Sequence, residues 1–178
     1  MSDRMRKSIA VLALVVAMAP AIEASAQTPA IENAFAPDAG GEALVLKVID
    51  AATSKIRLAA YSFNSQHVVQ ALLNAKKRGV DIKVMVDARR NQRPASIAAL
   101  RPLVNAGIPT RTVAVYAMHH DKYIVVDDRT VQNGSFNYSK DAATSNSENV
   151  LVVWDNPQLA KSFLDHWEDR WAKGVDYK

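Results

Sequence analysis

The stretch His120-Asp121-Lys122-Tyr123-Ile124-Val125-Val126-Asp127, followed by Gly134-Ser135-Phe136-Asn137 and then Glu148, puts an imidazole, an ammonium, a hydroxyl, a carboxamide and carboxylates into one short region. A neutral imidazole is a nucleophile, and a side-chain pKa of about 6.5 leaves much of it neutral at physiological pH. A cation fixed beside it suits attack on a phosphodiester. The residue pattern predicts an extended chain here. His120 and Lys122, two apart, then leave one face, while Tyr123, Val125 and Asp127 leave the other. Asp127 therefore reads as a turn-fixing group more than a substrate ligand. By the same alternation His119 and His120 point apart, and Lys122 would repel a cation, so no metal site is expected there.

The string has the form H-x-K-x-x-x-x-D, G-S-x-N, E-N and resembles the signature of the phospholipase D superfamily, most closely its small, single-motif bacterial endonuclease branch. The similarity continues upstream through Tyr61-Ser62-Phe63, Ala71 to Ala75, Arg78-Gly79-Val80 and the segment ending at Asp87, and covers residues 39–171. It implies a single α/β domain, with a mixed, mostly parallel sheet flanked by helices on both faces. It also implies that His120 forms a phosphohistidine intermediate and that Glu148 orients a histidine ring. Lys122, Asn137 and Ser135 would donate to phosphate oxygens, and Asp127 closes the catalytic string. Lys122 would do the work of a metal, so neither metal nor cofactor is expected.

One histidine leaves this scheme incomplete. Attack by an unprotonated imidazole expels an alkoxide that needs a proton from a second acid. In the superfamily that acid comes from a second copy of the motif. His67 and His166 lack the following Lys and Asp, so this chain carries one copy. A twofold homodimer with the active site at its interface solves the problem: His120 of one subunit attacks, and His120 of the other donates.

The elements that must position these groups follow from periodicity and punctuation. Residues 41–52 have helical apolar spacing, and Lys55 to Phe63 reads as a strand. Ser65 caps a helix ended by Gly79, and Val80 to Asp87 is a strand. A polar loop at Asn91 to Pro94 leads to a helix over Ser96 to Asn105. Strands are expected at Thr110 to Tyr116, Lys122 to Val126, Thr130 to Gly134 and Glu148 to Trp154, with a polar rim loop from Phe136 to Ser147. Asn156-Pro157 opens a last helix with Leu159, Phe163, Trp167 and Trp171 on one face, a packing stripe. Strands interleaved with helices argue for α/β, and the later strand-turn-strand portion adds antiparallel pairing.

Residues 1–26 read as a signal peptide. Arg4, Arg6 and Lys7 precede a 14-residue apolar run from Ile9 to Ile22, and Ala24-Ser25-Ala26 suits cleavage. That run would rise about 21 Å as a helix, short of a hydrocarbon core of roughly 30 Å. The expected product is periplasmic or secreted, with a flexible arm at residues 27–38 and the domain at 39–178. The absence of cysteine excludes thiolate-held zinc. The net charge of +4 is mildly basic. Arg89, Arg90 and Arg93 cluster after a strand, where they could touch backbone phosphates. The leading reading is a metal-independent endonuclease that hydrolyses DNA with little sequence preference, RNA being left open. A phospholipase acting on lipid head groups is the runner-up. It would want an apolar loop near the site, and the loops at Asn91 to Pro94 and Ser139 to Ser147 are polar instead.

Overall fold

The computed structural model describes residues 30–178. Among them, strands β1 (Ile31–Ala36), β2 (Lys55–Ala60), β3 (Asp81–Asp87), β4 (Thr110–Val113), β5 (Tyr123–Val126), β6 (Thr130–Gly134), β7 (Glu148–Val153) and β8 (Val175–Asp176) form one sheet in the order β1-β7-β6-β5-β2-β3-β4-β8. Helices α1 (Gly41–Asp50), α2 (Gln66–Lys77), α3 (Pro94–Asn105), α4 (Lys140–Thr144) and α5 (Pro157–Ala172) connect or cover the strands. The expected signal peptide lies outside the described residues.

Alternation along each strand divides the interior in two. Ile56, Leu58, Val84, Ile124, Val126, Val150 and Val152 face α1, α2 and α3 in the larger core. Ala59, Met85, Tyr123, Val125 and Val131 face α5, which brings in Ala160 and Trp167. The Trp stripe is packing, as its spacing predicted: Trp167 is buried, stacks on Trp171 at 4.8 Å and donates its indole N–H to the Leu58 carbonyl at 3.2 Å. Ser65 caps α2 by accepting from the Val68 N–H, and Asn156 caps α5 by accepting from Leu159.

Helices on both faces agree with the expected sandwich, but the balance of strand directions does not. β2–β3 and β3–β4 are parallel, joined by the crossovers through α2 and α3, and the other five pairings are antiparallel. A parallel neighbour needs a crossover of helical length. The chain after β5 instead turns at once, with Asp127 at φ 51° and Asp128 at φ 56°, left-handed positions that suit a right-twisted hairpin. Residues 31–36 also depart from the expected arm: they pair along β7, from Ile31 opposite Val153 to Ala36 opposite Glu148. Their alternation is weak because the outer face of this edge strand is exposed.

The registers bring one end of every central strand together. Tyr61 follows β2, Arg89 and Arg90 follow β3, His120 to Lys122 precede β5, Ser135 follows β6, and Glu148 opens β7. This is the carboxyl end of the parallel strands, the usual place for a ligand in an open α/β sheet.

Candidate active site

His120 and Lys122 lie just outside β5, one exposed and the other buried. The Lys122 ammonium donates to the His120 carbonyl at 2.8 Å and sits 3.2 Å from Nδ1 and 3.3 Å from Nε2 of the same ring. Tyr61 closes the back of this pair. Its ring centroid is 4.5 Å from that of His120, and its face lies 5.3 Å from Lys122 Nζ. Partial burial and the adjacent Lys122 ammonium hold the His120 imidazole below its ordinary pKa of 6.5, against the opposite pull of Asp121 and Asp87. Burial also lowers the pKa of Lys122, and the carboxylates of Glu148 and Asp121 oppose that shift.

Glu148 and Ser135 meet at the same end of the sheet. Ser135 donates its hydroxyl to Glu148 Oε2 at 2.5 Å and accepts from the Asn149 N–H at 3.0 Å, while Asn146 donates to Glu148 Oε1 at 3.0 Å. Close approach of β6 and β7 makes this possible. A Cβ on Gly134 would collide with the Asn149 carbonyl oxygen, so only glycine fits there. Glu148 was expected to orient a histidine ring, but within one chain it bonds Ser135 and Asn146 instead. Among the described residues the His120 ring nitrogens have Lys122 as their hydrogen-bond partner. Asn137 accepts from the Ser62 N–H at 3.4 Å, which ties its loop to the end of β2.

Asp127 lies at the opposite end of β5 and takes no part in this cluster. Its carboxylate accepts from the backbone N–H groups of Thr53, Ser54 and Lys55 and from both hydroxyls, at 2.7–2.9 Å. This is the turn-fixing role that the alternation predicted. The three arginines separate: Arg90 lies over the Tyr61 ring at 5.8 Å, Arg89 donates to the Ala117 carbonyl at 3.2 Å, and Arg93 is exposed at the start of α3. Arg90 thus joins the site, Arg89 borders it, and Arg93 is left in solvent.

Sequence reasoning missed several supports. Asn91 is buried; it donates to the carbonyls of Tyr61 and Asp87 and accepts from the Phe63 N–H, so it pins the loop carrying Tyr61. Asp87 accepts from the His119 N–H at 2.9 Å and from the Arg90 N–H at 2.6 Å, which anchors the segment before His120. Burial pushes the His119 pKa down. His166, which lacks the motif's following Lys and Asp, bonds Asp121 at 2.9 Å and shares an open cleft of about 410 Å³ with His120, Lys122, Asn133, Ser162 and Phe163. These partners lie far apart in sequence, and no motif spacing marks them. The loop from Ala114 to Met118 was expected to continue a strand as far as Tyr116, but β4 stops at Val113. Val115 and Met118 therefore stand exposed, and Met118 lines a small cleft with His120.

Comparisons with known proteins give the same picture. A family model described as cardiolipin synthase, PLD-like domain, matches residues 45–171. The crystal structure of a phospholipase D family member, Nuc from Salmonella typhimurium, superposes with a TM-score of 0.83 at 49% identity, covering 84% of this chain and 99% of that one. A Rickettsia conorii protein named phospholipase D is 32% identical over 80% of this chain and 70% of its own length. A mitochondrial cardiolipin hydrolase from Xenopus laevis is 28% identical over 88% of this chain and 70% of its own. With His120, Lys122, Ser135, Asn137 and Glu148 gathered at one end of the shared fold, the chain belongs to the phospholipase D superfamily and is a phosphodiesterase of that family.

Proposed function

We propose that this phosphodiesterase is an endonuclease that cuts DNA without a metal ion, and that it works as a homodimer in the periplasm or outside the cell. The observation that carries the reading is the open cleft at His120. Its walls bring His120, Lys122, Asn133, Ser162 and His166 together with Asp121, Tyr123 and Phe163, and Arg90 lies over the Tyr61 ring that backs His120, as suits a sugar-phosphate strand lying across the site. A low-pKa His120 attacks phosphorus and forms a phosphohistidine, while Lys122 turns from the imidazole to the non-bridging oxygens, joined by Asn137 and Ser135. The leaving alkoxide takes its proton from His120 of the second chain, which then serves as base for the water that frees the phosphate. Among the described residues Glu148 has no histidine partner in its own chain, and in the proposed dimer it orients the ring of the second chain.

The fold supports a place for that second chain. Ile31 and Phe35 on β1 and Leu151 on β7 are exposed, and register puts them on one sheet face with Asn133 of β6. Asn133 lines the His120 cleft, and α5, which covers the central strands on this side, leaves β1 and β7 open. An apolar strip beside the reacting centre suits a twofold interface with the phosphate near its axis.

The test is plasmid DNA incubated in EDTA with the wild-type protein and with His120→Ala, alongside single-stranded DNA, RNA and phosphatidylcholine. Nicking by the wild type, reduced on the order of 10⁴-fold in the variant, is the expected result. Choline release without nicking would transfer the activity to lipid head groups. The Rickettsia relative named phospholipase D and the exposed Val115 and Met118 favour that second reading.

A further inference from the structure

The run Ala114-Val115-Tyr116-Ala117-Met118 precedes the site histidines and is apolar throughout. Four of its five residues are exposed, Val115 at 61% and Met118 at 55%. Scattered apolar side chains on a surface are ordinary, but a consecutive exposed run points to a contact. This one is held out by structure. Arg89 donates to the Ala117 carbonyl at 3.2 Å, and Asp87 fixes the next backbone N–H, that of His119, at 2.9 Å.

Cations surround the run. Besides Arg89, the Arg170 guanidinium lies 5.1 Å from the Tyr116 ring centre. Lys173 lies 5.7 Å from it and 3.1 Å from the Tyr116 hydroxyl. Asp169 pairs with Arg170 and Lys173 and offsets part of that charge. Met118 and Tyr116 line a small cleft of about 160 Å³ with His119, His120 and Asp121, so whatever the run touches is brought to the mouth of the site.

We propose that this loop docks the protein on an anionic lipid bilayer, Val115 and Met118 entering the acyl boundary and Arg89, Arg170 and Lys173 meeting the head groups. Aliphatic tips within a cationic collar match a surface that is negative outside and apolar beneath. A nucleic acid offers no apolar layer unless its bases unstack, and bases stack best on aromatic rings. The one ring in this loop is engaged by Arg170 and Lys173. A second copy of the chain has its own apolar face at β1 and β7, at the other end of the sheet order from β4. The docking stands whichever phosphodiester is cut.

The chain from Gln27, which carries the whole described fold, is floated with phosphatidylglycerol–phosphatidylcholine vesicles and with phosphatidylcholine alone. The wild type should bind the anionic vesicles, and less so as salt is raised. Val115→Asp with Met118→Asp should weaken binding by about tenfold or more, while Val115→Leu with Met118→Leu should retain it. Circular dichroism spectra should be the same for all three proteins, which shows that the fold is intact. Binding that is absent in the wild type, or equal in the Asp variant, overturns the proposal. So does a variant whose loss is confined to cleavage of single strands or to the dimer, since the loop then contacts nucleic acid or the second chain.

Discussion

At the scale of single residues, the site centres on His120, an imidazole whose surroundings favour the neutral form. Partial burial and the Lys122 charge depress the His120 pKa, so the reactive form should persist below pH 6.5. The acidic limb of kcat/KM should then lie below that value. Lys122→Met removes a positive charge and raises the His120 pKa, so the limb should move toward 6.5 while the maximal rate falls about 10²–10³-fold. A pH–rate profile with a soluble phosphodiester checks both, and an unmoved limb would detach the titration from His120. The pair was legible in sequence because two residues at a separation of two must share a side of an extended chain. Tyr61, Asn91 and His166 were not, because their effect depends on contacts across the fold.

At the scale of elements, one close contact at each end of the sheet holds the central strands in place. Gly134→Ala would drive its methyl into the Asn149 carbonyl and part β6 from β7. We expect a loss of about 1–3 kcal/mol in stability and a larger fall in activity, since Ser135 and Glu148 sit on the parted strands. Denaturant melts and kinetics on the same preparation test this. At the far end, partial burial of Asp127 opposes ionisation, yet hydrogen bonds from Lys55, Thr53 and Ser54 hold its carboxyl well below the usual carboxylate range. Its stabilisation is therefore complete above the unfolded pKa of about 3.9 and fades as pH falls through the depressed folded value. Asp127→Asn should cost about 2 kcal/mol at pH 7, with the gap to wild type closing in strong acid. A gap that persists in strong acid would assign the cost to shape alone. Helix limits were read closely from sequence, since Ser65, Gly79 and Asn156-Pro157 act locally. Strand direction was misjudged beyond β4, because pairing is chosen by connection length and partner availability.

At the scale of the whole molecule, the proposed mechanism needs two chains. Phe35→Asp with Leu151→Asp should weaken a homodimer by about 100-fold or more and remove DNA cleavage at protein concentrations where the variant is monomeric. Sedimentation at matched concentrations, with activity read in parallel, makes the comparison. Full cleavage by a confirmed monomer would remove the second histidine from the mechanism. The edge strand that carries Phe35 was taken for an arm because its outer face shows no buried partner in sequence. Its role emerges only when β7 lies alongside.

By itself the sequence determined the pairing of His120 with Lys122, the family and most helices, because these rest on local spacing, capping groups and alternation. Tertiary structure alone decided which backbone groups hold the Asp127 carboxylate, that Glu148 is held by Ser135 and Asn146, and that Tyr61 backs the imidazole. It also decided which apolar residues remain uncovered. Each of these depends on registers between strands distant in the chain, and burial is a property of the packed whole that no short window of residues contains.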